Sequence, residues 1–367
     1  MESGLMFRYL DDIATYSGYI DFILSIINDD ACKKLAKKFL KHRQGVTIRR
    51  KKCHSPTGLR LIAYILPSSL RVFTSLGIEI PLRVATNPAI MIRGNDLRIY
   101  ARVGSVGGDF DHTFIVYADV PISEAEGLLK LSARTLLYPL LPYENVEDPR
   151  VSVSNTEELY HVRGFDSGKG AVITFKAILN QSLNRVVSLE PIRFRDREGN
   201  EFLLRDYRDT FPLNEKYIVV RPFFRTLHTG GIFIGPCDGA VVSFEELNPI
   251  PELLPQRDEH KTGGNAVLKI SSNEFLLVYH SVDHHGVYYT YAATLSKDGE
   301  LLSMTRDPII TPGPTDYIGR RPGTIFVCGL AKYGNEILIA AGKDDEAIVI
   351  YGIDENDMFE KLEYIKG

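Results

Sequence analysis

From residue 45 to its end the chain alternates short apolar runs, rich in Val, Ile, Tyr and Phe, with breaks of Gly, Asn, Asp and Pro. That rhythm is the signature of strands and turns. The first part of the chain reads differently. Apolar residues from Tyr19 to Ile27 recur at helical spacing. Asp30 then serves as the expected N-cap of a second helix, with Leu35, Phe39 and Leu40 on one face and Gly45 as its stop. Residues 45–80 are expected to form strands that join the main body or pack against it.

The strand-rich part contains an internal repeat. Five segments share a polar turn, an acid and an apolar strand: GNDLRIYAR from Gly94, NTEELYHVR from Asn155, LNEKYIVVR from Leu213, SNEFLLVYH from Ser272 and GNEILIAAG from Gly334. The acids Asp96, Glu157, Glu215, Glu274 and Glu336 recur at intervals of about sixty residues. Further strand-like runs follow each acid: HTFIVYA, GAVITFK, GGIFIGP, GVYYTYA and EAIVIYG. Each repeat is therefore a small sheet, and sheets repeated radially protect their edges by closing into a propeller. The expected fold is all-β, a five-bladed β-propeller over residues 81–367, with residues 1–80 as a helical and strand extension.

Equivalent positions of a propeller converge on its axis. Nine positions before the turn acids stand Asn87, Asp148, Asp206 and Asn265, with Val327 in the fifth repeat. At the far end of the next strand stand Arg102, Arg163, Arg221 and His280. These residues are expected to form a polar ring around a concave site. The plainer reading is that Asn and Asp favour the turns at which strands begin.

Composition narrows the function classes. A net charge of −4 among 367 residues excludes a globally basic nucleic-acid binder. No apolar run reaches the ~18 residues a membrane helix needs. The start of the chain lacks a basic region followed by an apolar stretch, so no signal peptide is read. Cys32, Cys53, Cys237 and Cys328 lie far apart, as expected in a reducing, cytoplasmic setting. Tryptophan is absent, so any sugar platform falls to Tyr or Phe. The run from Lys33 to Lys52 holds ten Lys or Arg and no acid; it reads as a solvated helix face or a contact for a homo-oligomer rather than a nucleic-acid or membrane site. His280, His284 and His285 lack a completing Cys or carboxylate spacing for a metal. Asp109 and Asp111 lack the spacing of a calcium loop. The GRRPG segment around Arg320 reads as an anion loop or an ordinary turn.

The most informative motif is Glu147-Asp148-Pro149-Arg150. Pro fixes its own φ and removes a donor, which aims its neighbours rigidly. Taken alone, D-P-R reads as a turn with a surface ion pair. In context it resembles glycoside hydrolase family 130, the β-mannoside phosphorylases and related mannosidases. The resemblance runs from about Asn87 to about Ile350. It is carried by Asn87-Pro88 with Tyr100-Ala101-Arg102; by Glu147 to Arg150; by Phe211-Pro212 with Lys216-Tyr217 and Arg221-Pro222; by Lys261 to Gly264 with Leu276 to His280 and Tyr289 to Ala293; and by Phe326 to Gly329 with Ala341 to Asp345.

The resemblance implies a five-bladed propeller and inverting cleavage or formation of β-mannosidic bonds, with phosphorolysis to mannose 1-phosphate as the leading reading. It implies that Asp148 is the general acid, relaying its proton through a sugar hydroxyl. Asn87, Arg102, Tyr289 and Asp345 would hold the mannose, while Arg150, Arg221, Lys261 and His280 would face phosphate or water. No metal or organic cofactor is expected, and inorganic phosphate enters as co-substrate. One departure stands out. The family continues Phe-Pro with Glu-Lys, where this chain has Leu213 and Asn214. That missing cation keeps open a mannoside hydrolase or a mannosyltransferase. A propeller that only binds glycans or a protein partner is the alternative of a different class.

Overall fold

A computed structural model describes residues 13–44, 48–52, 58–106, 112–153, 157–165, 170–180, 182 and 184–365. Asp109, Asp111, Cys53, Gly45 and Asn155, singled out in the sequence, lie outside the described residues. The fold is all-β and propeller-like. Its strands form five sheets of unequal size, with four to eight strands each.

We number the sheets I to V by their inner strands: Leu82–Arg93, Glu144–Val153, Tyr207–Pro212, Glu259–Lys269 and Ile325–Tyr333. The second strands are Asp96–Ser105, Glu157–Phe165, Tyr217–Phe224, Glu274–Asp283 and Glu336–Lys343, each antiparallel to its inner strand. Four of the recurring acids thus open a second strand. Glu215 instead lies in the turn before Tyr217.

The segment before residue 81 is woven into this body. Arg60–Ile65 pairs antiparallel with Ala347–Asp354 at the outer side of sheet V, so strands from early and late in the chain share one sheet. Leu70–Phe73 runs parallel to Leu131–Leu137 in sheet I, and Glu79–Ile80 pairs with Leu70–Phe73. The boundary expected after residue 80 therefore falls within one six-stranded sheet.

Two helices precede these strands, α1 (Ile13–Ser25) and α2 (Asp29–Arg43). The N-cap of α2 is Asn28, whose side chain accepts from the Ala31 N–H at 3.0 Å, and not the expected Asp30. Asp29 and Asp30 fall in the first turn, where carboxylates favour the helix dipole. Ala31, Leu35 and Phe39 form the buried face. Leu40, expected on that face, is 43% exposed, because positions 31, 35 and 39 repeat every four residues and leave 40 on the shoulder. Tyr16, Ile20 and Ile23 of α1 join these residues in the largest apolar core. Among the described residues no helix is long and apolar enough to cross a membrane.

Candidate active site

Each inner strand carries a register break at a corresponding point. The breaks fall between Thr86 and Ala89, Glu147 and Arg150, Arg208 and Phe211, Gly264 and Ala266, and Val327 and Gly329. A bulge re-aims a side chain and bends its strand, and such features are common beside active sites. The residues so placed are Asn87, Asp148, Asp209, Asn265 and Cys328. Three of them, Asn87, Asp148 and Asp209, have φ of +48°, +52° and +47°. Asn and Asp tolerate that left-handed region better than other non-glycine residues, and it persists only where the surroundings impose it.

This set corrects the expected ring at two members. Asp206 lies three residues before the third bulge and pairs with Arg208 and Arg225. Val327 lies one residue before the fifth. The fixed spacing from the turn acid fails because Glu215 sits in the turn ahead of its strand, so the bulge lies six residues before it instead of nine. A polar residue or Cys interrupting an apolar inner strand (YRD before TFP, FVC before GLA) is the signal that finds the correct positions.

Asp148 is 9% exposed. Asn87 Nδ2 donates to its Oδ1 at 2.7 Å, and Arg102 Nη1 reaches the same oxygen at 3.4 Å. Among the described residues no side-chain donor engages Oδ2. Arg102 also donates to Thr113 Oγ1 at 3.1 Å and pairs with Glu147 at 3.2 Å. Burial pushes the Glu147 carboxyl above its usual range, against the pull of Arg102. Asp345, half-buried with φ +55°, acts electrostatically on both Arg102 and Glu147. Gly342 allows this approach, since a Cβ there would collide with Asn87 and Thr86. Asn87 and Arg102 thus contact Asp148, while Asp345 acts on its neighbours Arg102 and Glu147.

Arg150 occupies a different place from the one expected. Its Nε donates to the Asn265 carbonyl at 2.8 Å, Nη1 to the Asp148 carbonyl at 3.1 Å and Nη2 to Asp209 Oδ1 at 2.7 Å. Its guanidinium carbon lies 5.6 Å from the ring centres of both Phe211 and Phe326. With these contacts Arg150 ties inner strands II, III and IV together from within. Asp209 accepts from Arg221 Nε at 2.8 Å through its other oxygen. Burial alone would raise the Asp209 pKa, but Arg221 and Arg150 outweigh it and hold the carboxyl well below its usual range.

On the other side of Asp209 stand His280 and Lys261. A Cβ at Gly263 would lie 2.6 Å from both Asp209 Oδ2 and His280 Cε1, so only Gly lets these groups meet. His280 Nδ1 lies 2.7 Å from Asn265 Oδ1, while Asn265 Nδ2 donates to the Val327 carbonyl at 2.7 Å. With the amide so oriented, Nδ1 carries the imidazole proton. Burial, reinforced by Lys261 and the arginines, holds His280 well below its usual pKa and therefore neutral. Burial, Arg221, Arg321 and Arg208 likewise hold the half-buried Lys261 well below the usual lysine value. No carboxylate pairs with Lys261 among the described residues.

Two further sequence expectations are displaced. Tyr289 is turned away from the ring, with its hydroxyl 3.3 Å from Asp283 and Lys52 over its ring at 5.8 Å. Its neighbour Tyr288 packs on His280 at 5.3 Å, because successive residues of a strand face opposite sides. Arg163, expected in the ring, is fully buried with Glu144 and Tyr16 and anchors α1. His284 lies 3.1 Å from the Arg257 carbonyl and does not join His280. Sequence reasoning missed Asp209, Arg208 and Tyr288, touched Arg321 only within the GRRPG segment and Cys328 only within the Phe326 to Gly329 motif, and gave Glu147 no role.

The departure at Asn214 lies elsewhere. Asn214 donates to the Lys297 carbonyl at 2.7 Å and lines a cleft of about 720 Å³ with Lys176, Lys216, Lys269 and Phe275, which also reaches Arg150, Phe211 and Cys328. It follows the third bulge by five residues, about 16 Å of extended chain.

Residues 51–363 match the family described as beta-1,4-mannooligosaccharide phosphorylase, glycoside hydrolase family 130. No curated protein matches the chain in sequence. Among solved structures, the fold is similar to the β-1,2-mannobiose phosphorylase of Listeria innocua in complex with β-1,2-mannobiose. The two share 16% identity over 83% of this chain and 99% of that one, with a TM-score of 0.61. It is also similar to MPT-4, a mannose phosphorylase of Leishmania mexicana in complex with phosphate, at 12% identity, over 92% and 98% of the chains, with a TM-score of 0.54. At such identities the likeness speaks for the fold, while the family match covers most of the sequence. The chain thus belongs to glycoside hydrolase family 130 and is an enzyme of β-mannosides.

Proposed function

We propose that the chain cleaves a β-mannoside by inverting phosphorolysis at the Asp148 ring, releasing mannose 1-phosphate. In this reading the five sheets are five blades around one axis. Contacts between the inner strands of I and II, II and III, III and IV, IV and V, and V and I support it. Inverting cleavage needs a proton for the leaving oxygen and a nucleophile on the opposite face of the sugar. Asp148 supplies the proton through a hydroxyl of the bound mannose. Asn87 and Arg102 hold its Oδ1, which leaves Oδ2 to carry the transferable proton. Arg102 and Asp345 orient the sugar. As the bond from the anomeric carbon to the leaving oxygen breaks, that oxygen takes up the relayed proton, and a phosphate oxygen attacks the anomeric carbon from the other side.

The observation that carries the choice of phosphate is the group of cations facing this ring. Lys261, Arg208 and Arg221 exceed the charge that Asp206 and Asp209 offset. Crowded cations with a depressed Lys pKa suit an incoming dianion, which gains several charge-assisted hydrogen bonds at once. The three described cysteines are free, which fits a cytoplasmic enzyme.

The test is incubation with β-linked mannobioses, with and without phosphate. Mannose 1-phosphate formed in proportion to phosphate is the expected result. Free mannose released at a rate indifferent to phosphate would establish hydrolysis instead. Binding of mannosides without turnover under either condition would make the chain a glycan-binding propeller.

A further inference from the structure

The segment 313–323, between sheets IV and V, is pinned to the turn that carries Asp345. Lys343 Nζ donates to the Thr315 carbonyl at 2.9 Å and pairs with Asp316 at 3.2 Å. Asp316 in turn accepts from the Gly313 N–H at 2.6 Å through its side chain and from the Gly323 N–H at 2.6 Å through its carbonyl. At the tip, Gly319 N–H points to Asp344 Oδ2 at 3.4 Å, and Arg321 N–H donates to the Asp344 carbonyl at 2.8 Å. Asp344 and Asp345 are consecutive left-handed residues, with φ of +54° and +55°, and Asp344 is 2% exposed. The anchored arm therefore holds the backbone of Arg321 one residue from the candidate sugar ligand.

The Arg321 side chain points back over the cation pocket. Its guanidinium carbon lies 5.2 Å from the Tyr288 ring centre, and Lys261 Nζ lies 5.5 Å from the same centre. Tyr288 itself rests on His280 and Phe326. Among the described residues no carboxylate pairs with either cation. Two unneutralised cations held against one aromatic ring repel each other, and the fold spends several hydrogen bonds of the arm on keeping them together. Such an arrangement is favourable when an anion bridges them.

We infer that Arg321 is a phosphate-binding residue of this site, delivered by the 313–323 arm and positioned by Asp344. The inference rests on the phosphorolysis reading above. It also makes one turn serve both substrates, because Asp345 faces the sugar while Asp344 fixes the arm that meets the phosphate. Arg321 is exposed, so its replacement leaves the core untouched.

The experiment compares wild type, Arg321→Gln and Arg321→Lys in two assays, phosphate titration calorimetry without sugar and steady-state phosphorolysis of a β-mannobiose. Arg321→Gln is expected to weaken phosphate, in both Kd and KM, by about tenfold to a hundredfold, as for loss of one charge-assisted contact. The KM for mannoside should stay within about twofold of wild type, and Lys should restore part of the phosphate affinity. Phosphate affinity unchanged in Arg321→Gln overturns the inference, as does a change confined to the KM for mannoside, which would make the arm a reader of sugar. The two readings fail separately. Phosphate-independent release of free mannose by wild type removes phosphorolysis, whereas calorimetric affinity alone judges Arg321. A wild-type protein that binds no phosphate removes both.

Discussion

Asp148 and Asp209 occupy corresponding places on neighbouring inner strands. Both lie at a bulge, both are left-handed and buried, and both have arginines within reach. They differ in how their oxygens are used. Asp209 is held at both, by Arg150 on Oδ1 and Arg221 on Oδ2. Among the described residues Asp148 is held only at Oδ1, by Asn87 at close range and Arg102 at longer range. A carboxylate gripped at both oxygens by cations is a fixed anion. One gripped at a single oxygen can gain and give up a proton while keeping its orientation. The fold supplies equivalent positions, and the partners decide which becomes structural and which becomes chemical.

The contrast predicts its largest effect at Asp148. Asp148→Asn keeps the size of the side chain and removes the transferable proton. Turnover of a β-mannoside should fall by about 10²–10⁴-fold, the range for loss of a general acid. The urea midpoint should stay near wild type, since the amide still accepts from Asn87 and Arg102. Retention of near-full activity would move the acid to another residue, with Glu147, which shares Arg102 with Asp148, the next candidate.

Asp209→Asn should show the opposite balance. It leaves Arg150 and Arg221 buried without their counter-ion, and breaking a buried pair costs about 3–5 kcal/mol of stability. Urea denaturation is the direct measure. The pH dependence adds a second check. The folded-state pKa of Asp209 is depressed, so its contribution is fully present above its unfolded value of about 3.9 and is lost as pH falls through the folded value. Wild type should therefore lose stability more steeply than Asp209→Asn below about pH 4. Equal slopes, or an Asn variant as stable as wild type, would erase the distinction between the two aspartates.

Much of this site is legible in the sequence, and the parts that are not have separate physical causes. Asn87, Asp148, Arg102 and Asp345 come together because their motifs keep a constant relation to the strand they open or close. Asp209 escapes a fixed count because one turn holds Glu215 ahead of its strand and shifts the spacing by three. The motif points to Tyr289 while the site holds Tyr288, because a motif gives the neighbourhood and the strand's two-residue alternation gives the side. Arg150 and Arg163 look alike as arginines near a predicted axis. Only packing shows that one ties three inner strands and the other anchors α1. The strand Arg60–Ile65 finds its partner late in the chain, a pairing that no local pattern encodes.

The smallest expected effect concerns Asn214, where the sequence alone argues against phosphate. If residue 214 faced the phosphate, its lack of a lysine would weaken the site, and Asn214→Lys would tighten phosphate by about tenfold or more. The structure puts Asn214 in a turn, where its Oδ1 accepts from the Lys216 and Tyr217 N–H groups at 2.9 and 3.0 Å and its Nδ2 donates to the Lys297 carbonyl. None of these partners belongs to the Asp148 ring. A lysine there adds a cation to a cleft that already holds Lys176, Lys216, Lys269 and Lys297, and it removes the two turn hydrogen bonds. Asn214→Lys should therefore leave the KM for phosphate within about twofold of wild type and lower stability by about 1–2 kcal/mol, as for two exposed hydrogen bonds of ordinary strength. A marked fall in that KM would place residue 214 at the anion after all, and would shift the phosphate from the Lys261 side of Asp209 toward the far end of the third inner strand.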